Sequence, residues 1–77
     1  MNKQCDVIVD ARGLECPLPL LKAKQALNRM KSGELLAVAA TDAGSVRDFA
    51  VFAEQSGHEL LSSEERAGEY HYILKKA

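Results

Sequence analysis

The sequence contains no tryptophan and only two phenylalanines and two tyrosines. Ten basic residues stand against eleven acidic ones, for a formal charge of −1. A chain so short of aromatic rings and of positive charge lacks both the stacking platforms and the electrostatic footprint that nucleic-acid binding uses, so direct nucleic-acid contact is not expected. No apolar run approaches the length that spans a bilayer, and Met1-Asn2-Lys3-Gln4-Cys5-Asp6 lacks the apolar stretch of a signal peptide. The reading is a cytoplasmic protein without membrane association. Cysteine is scarce as well. Two cysteines make no disulfide framework, and in a reducing compartment they are thiols available for chemistry. Proline occurs twice, at Pro17 and Pro19, both within one helical turn of each other.

What is present describes a folded chain. A length of 77 residues makes one domain, residues 1–77, with room for one economical core. A 47% hydrophobic and 27% charged composition excludes the polar, charge-heavy class of disordered chains. Repeats and low-complexity tracts are absent, and the glycines at 13, 33, 44, 57 and 68 mark the joints between elements. Cys5 to Asp10, with Val7, Ile8 and Val9 in succession, reads as a strand closed by Ala11-Arg12-Gly13. Pro17 to about Lys31 carries Leu20, Ala23, Leu27 and Met30 at helical spacing, with Gly33 as the stop. Leu35 to Ala40 is apolar on both alternating faces and reads as the central strand. Ser45-Val46-Arg47-Asp48 resembles a capping box with Asp in place of Glu; Val46, Phe49, Ala50 and Ala53 follow at helical spacing, and Gly57 ends the run. His58 to about Ser63 and Glu69 to Lys76 flank Arg66-Ala67-Gly68 as a terminal hairpin.

The order is βαβαββ. A strand–helix–strand unit makes a right-handed crossover between parallel strands, and the economical solution is a two-layer α/β sandwich: a mixed four-stranded sheet with both helices on one face. The other face is left open, either as a docking surface or as a solvated polar one.

The sharpest local feature is Gly13-Leu14-Glu15-Cys16-Pro17-Leu18-Pro19-Leu20. Proline is tolerated in the first helical turn, where its missing N–H had no intrahelical partner to lose. Pro17 and Pro19 therefore fix a helix start and make Cys16 the N-cap, with the N–H of Leu18 and that of Leu20 near its sulfur. The helix end carries about half a positive charge, and such surroundings lower a cysteine pKa from about 8.5 into the range of about 3.5 to 7.5. A modest shift toward thiolate is expected, with Arg12 or Lys22 contributing. The alternative is a small buried cysteine behind prolines that only start a helix. Against it, Ser, Thr, Asp or Asn would cap better, so cysteine at this position points to chemistry.

The stretch Asp10-Ala11-Arg12-Gly13-Leu14-Glu15-Cys16-Pro17-Leu18-Pro19 resembles the signature of the TusA/SirA-like sulfur-carrier family, a Cys-Pro-x-Pro motif preceded by Asp-x-x-Gly-Leu-x. The resemblance continues through Leu20-Leu21-Lys22-Ala23-Lys24, Ala40 to Asp48, Gly57-His58 and the closing hairpin. It implies a sulfurtransferase that works as a persulfide relay rather than as a stand-alone catalyst. Cys16 would accept sulfane sulfur from a cysteine desulfurase or rhodanese-like donor and pass it to an acceptor protein, in a relay leading to tRNA thiolation, molybdenum-cofactor assembly or sulfur oxidation. No cofactor is implied, since pyridoxal phosphate would belong to the desulfurase, and the carrier is expected to be a monomer. The alternative is a non-catalytic regulatory or redox-switch module on the same fold.

Other polar residues carry blander readings. Asp10 is a turn residue that could hold the Cys16 loop. Arg12 either steers an acidic partner, supports the persulfide anion or is a solvated turn residue. Asp42 and Ser45 organise the entrance of the second helix. Cys5 as a resolving thiol for Cys16 is the weaker alternative to a small strand residue. Cys5, Cys16, His58 and His71 supply four zinc ligands by count, but their spacing matches no zinc module, and the two histidines are placed on polar faces.

Overall fold

A computed structural model describes residues 5–77; the part of the signal-peptide reading that rests on residues 1–4 lies outside them. The elements run β1 (Val7–Ala11), α1 (Leu18–Asn28), β2 (Leu35–Ala40), α2 (Ser45–Ser56), β3 (Glu59–Arg66) and β4 (Glu69–Lys75). The expected βαβαββ order is the observed one. The sheet order is β1-β2-β4-β3, so the last strand enters the middle of the sheet. β1 and β2 are parallel, with Val7 opposite Leu36 and Ala11 opposite Ala40. β4 is antiparallel to β2 on one side, with Val38 opposite Tyr72, and to β3 on the other.

Alternation along the strands separates two faces. Val7, Val9 and Ala11 of β1, Leu36, Val38 and Ala40 of β2, and Tyr72 and Leu74 of β4 form or pack on the core. α1 lies against β1 and β2, α2 against β3 and β4, and the helices touch each other. Both layers therefore meet on this one side. α1 buries Pro19, Ala23 and Leu27 at intervals of one helical turn, and ends at Asn28 rather than near Lys31 because Arg29 and Met30 fold into the following turn. Met30 still reaches the core from there.

α2 is rotated from the expected stripe. Ser45 and Phe49 are its buried residues, Phe52 packs on the core, and Val46 and Ala50 face outward. The Phe49 ring stacks on Tyr72 with 4.4 Å between centroids and 5° between planes. Two aromatic rings in van der Waals contact outweigh the smaller gain from Val46 and Ala50, and they set the helix's facing.

The hairpin turn is narrower than Arg66-Ala67-Gly68. β3 runs through Arg66, and Ala67 (φ 51°) and Gly68 (φ 83°) make the two-residue connection. Two successive positive φ values are what a type I′ hairpin turn requires. On β3 the register against β4 slips between Leu60 and Ser62, a bulge at Leu61 on an edge strand, where such irregularity blunts pairing with another chain. Among the described residues no helix is long and apolar enough to cross a membrane.

The open sheet face carries Ile8, Asp10, Ala37, Ala39, His71 and Ile73 around a shallow depression. Its polar groups are joined. Arg12 grips Asp10 with Nε to Oδ1 at 2.9 Å and Nη2 to Oδ2 at 3.0 Å, and its Nη1 reaches Glu69 Oε2 at 3.4 Å. Glu69 Oε1 in turn bonds His71 Nε2 at 3.1 Å. The face is thus part apolar and part an ion-paired network.

Candidate functional site

β1 and β2 are parallel neighbours, so the loops leaving their carboxyl ends emerge side by side, which is where an α/β sheet collects functional groups. The loop after β1 carries Cys16 and the loop after β2 leads into α2. They are tied by the Gly13 N–H, which donates to Thr41 Oγ1 at 2.9 Å. Leu14 anchors the first loop by packing on the core. The second is fixed from beneath. Ser45 Oγ lies 2.7 Å from the Asp42 carbonyl and 2.6 Å from the Tyr72 hydroxyl. A carbonyl can only accept, so Ser45 gives its proton to Asp42 and Tyr72 donates to Ser45.

The thiol of Cys16 is exposed and donates to Asp48 Oδ2 at 2.6 Å. This corrects the expected arrangement in three respects: the cap position, the N–H expected at the sulfur and the direction of its ionisation. α1 begins at Leu18 with Pro17 at the cap position, so Cys16 stands one residue before the N-cap rather than at it. The Cys16–Pro17 peptide is cis. The Leu18 N–H donates to the Glu15 carbonyl at 2.8 Å and is not available to the sulfur. The thiol's partner is therefore a carboxylate from the other helix.

The third correction follows from that partner. Cys16 is pushed up from the ordinary thiol range, first by its hydrogen bond to Asp48, which holds the neutral form, then by desolvation and by the negative charges of Asp48 and Asp42. The helix end, with about half a positive charge, is outweighed by two full negative ones. Arg12 gives no help, being committed to Asp10 and Glu69. Its grip, through the side chain first and then the backbone N–H, holds Asp10 down at about 2, and Lys22 adds to that lowering.

Asp42 and Gly44 close the site from the β2–α2 loop. Asp42 Oδ2 is buried without a hydrogen-bond partner among the described residues. A side chain at Gly44 would put its Cβ 2.9 Å from that oxygen and 3.7 Å from Cys16 Cβ. The first distance would push the Asp42 carboxylate aside, while the second is ordinary contact, so the bare Cα at 44 leaves room for that carboxylate beside the Cys16 loop. Ser45 is not the predicted cap, since α2 has Gly44 at that position, but it does organise the helix entrance through Asp42 and Tyr72.

The remaining candidates lie elsewhere. Cys5 precedes β1 and Cys16 follows it, so the length of a five-residue strand, rising about 3.3 Å per residue, separates two cysteines that are both free. His71 is on the open face. His58 is not on a polar face: it is half-buried, its ring 5.6 Å from that of Phe52, and its Nδ1 accepts from the Ala77 N–H at 3.0 Å. Burial, and then the charge of Lys76, lower its pKa. Among the described residues no three His, Cys, Asp or Glu side chains cluster as metal ligands. Asp48 was the site residue missed. Its only sequence signal was an acidic group in the first turn of the helix that follows β2, which the parallel β1–β2 pairing brings beside the β1 loop.

Fold and site together define a small α/β domain that presents an exposed thiol at the mouth of two parallel strands. Residues 7–76 match the family model of Sulfurtransferase TusA, and the chain belongs to that family. It is 54% identical over 72 residues to a sulfur carrier protein TusA of Allochromatium vinosum, covering 94% of this chain and 95% of that protein. It is 42% identical over 71 residues to a sulfur carrier protein TusA of Pseudomonas putida strain KT2440, covering 92% and 89%. The crystal structure of a SirA-like protein from Desulfitobacterium hafniense superposes with a TM-score of 0.80 at 25% identity, over 90% of this chain and 95% of that one. A sulfur-carrier role goes with this membership.

Proposed function

We propose that the protein carries sulfane sulfur as a persulfide on Cys16, taking it from a persulfidic donor such as a cysteine desulfurase or rhodanese-like protein and giving it to an acceptor cysteine in a cytoplasmic relay. The observation that carries this reading is the exposure of the Cys16 thiol on a loop tied to its neighbour by the Gly13–Thr41 hydrogen bond, within a family of sulfur carriers. Thiol exchange needs access to the attacking sulfur and to the sulfur it attacks, and a thiol projecting from a domain of 8.4 kDa can enter a partner's active site.

The step balances without an outside oxidant. Cys16 sulfur attacks the terminal sulfur of the donor's Cys–S–SH; a new S–S bond forms on Cys16 as the donor's S–S bond breaks. The donor cysteine leaves as thiolate and takes up the proton that Cys16 gave up. Delivery repeats the exchange with the acceptor. The test is incubation with a cysteine desulfurase and free cysteine, followed by intact mass. The wild type and Cys5→Ser gain the mass of one sulfur atom, removable by reductant, and Cys16→Ser gains none. Loss of the gain in Cys5→Ser with retention in Cys16→Ser would reverse the assignment, and a gain in none of them would remove it.

A further inference from the structure

We propose that Asp48 is a positioning residue that latches Cys16 in its thiol form in the free protein, so that the sulfur becomes an attacking anion only where that contact is broken or its charge neutralised. This deepens the carrier reading and takes its biological meaning from it, but the latch is a property of the unloaded protein and is tested without any sulfur donor.

The hydrogen bond from Cys16 Sγ to Asp48 Oδ2 places a carboxylate against the atom that would have to ionise. Removing the proton replaces an attractive S–H···O contact with two anions in contact, which disfavours the thiolate. The charged groups around the site do not reverse this. Asp42, from the loop after β2, adds a second negative charge, and the shift of Cys16 runs upward. Lys24 of α1 and Arg47 of α2 line the same shallow groove as Asp48; the Lys24 Nζ lies 5.5 Å over the Phe52 ring. Lys22 acts on Asp10, and Arg12 is paired on the open face.

A latch of this kind suits a carrier. A thiolate held permanently at an exposed position would react with any disulfide or electrophile it met, whereas a thiol held by Asp48 stays inert until a partner supplies a cation, or turns the carboxylate aside.

The experiment measures the rate of Cys16 alkylation by iodoacetamide from pH 6 to about 11 in Cys5→Ser protein, where Cys16 is the one thiol, with and without Asp48→Asn. The account expects the midpoint of the Cys5→Ser protein above the ordinary value of about 8.5. It expects Asp48→Asn to bring it down by about one unit, a roughly tenfold larger thiolate fraction at pH 7. The alkylation rate at pH 7 then rises about threefold rather than tenfold, because nucleophilicity falls as basicity falls. Asp48→Glu, which keeps the charge, should hold the midpoint nearer that of the parent than Asp48→Asn does. An unchanged or raised midpoint in folded Asp48→Asn overturns the latch. So does a midpoint at or below about 8.5 in the parent, a readout that needs no substitution at Asp48.

Discussion

The Tyr72 hydroxyl of β4 donates to Ser45 Oγ at the head of α2 across 2.6 Å, and through Ser45 it holds the Asp42 carbonyl of the loop that flanks Cys16. The centre of the sheet thereby fixes the rim of the site. The Tyr72–Ser45 bond is sealed from water, each residue being 1% exposed.

Tyr72→Phe removes one hydrogen bond and leaves Ser45 satisfied by Asp42, so it should cost about 1 kcal/mol, seen as a fall of about 4–8 °C in thermal midpoint for a domain of this size. Ser45→Ala strands the Tyr72 hydroxyl in the core and should cost more, about 1–3 kcal/mol. Thermal denaturation of the two variants followed by circular dichroism checks the order; equal or reversed costs would mean that the proton count along this chain is wrong.

Ala67 holds a left-handed conformation (φ 51°) that an L-residue with a Cβ adopts at a cost, beside Gly68 at φ 83°. Ala67→Asn creates the Asn-Gly pair that type I′ turns favour, and should stabilise by about 0.5–1 kcal/mol. A higher denaturant midpoint with an unchanged slope is the expected result.

Asp10 titrates at about 2 in the folded chain because Arg12 grips it, below the ordinary 3.9 or so of a free aspartate. A lowered carboxylate contributes stability that is present above the unfolded value and is lost as pH falls from about 4 toward about 2. Arg12→Ala should return Asp10 to the ordinary range in a carboxyl NMR titration and erase that part of the acid dependence. It should leave the Cys16 alkylation rate unchanged, since Arg12 serves the open face.

His58 accepts the Ala77 N–H only with Nδ1 unprotonated, and burial holds its pKa below 6.5. Its folded value lies below its unfolded one, so its contribution to stability is present above pH 6.5 or so and is lost as pH falls through that range. A histidine NMR titration should place the His58 midpoint below 6.5, and detachment of Ala77 should follow the same midpoint.

The sequence made the elements legible wherever the signal was local. Val7-Ile8-Val9 announced β1, the alternation of Tyr70, Tyr72 and Leu74 announced β4, and Gly57 marked the end of α2. What depended on distant partners was harder to read. The facing of α2 was set by Phe49 stacking on Tyr72, not by the spacing of Val46 and Ala50. Cys16 was singled out by Pro17 and Pro19, by its place at a helix start and by the family motif, but the direction of its ionisation was misjudged, because the helix end is a local feature while Asp48 lies 32 positions away. Its contact with the thiol exists only once β1 and β2 have paired and brought their loops together.

The most direct test of the central claim is to locate the transferred sulfur. After loading by a cysteine desulfurase, the protein is alkylated, digested and mapped by tandem mass spectrometry. The account predicts the extra sulfur on the peptide containing Cys16-Pro17-Leu18-Pro19 and none on the peptide containing Cys5. Sulfur on Cys5, or a Cys16 peptide that never carries it, would contradict the account.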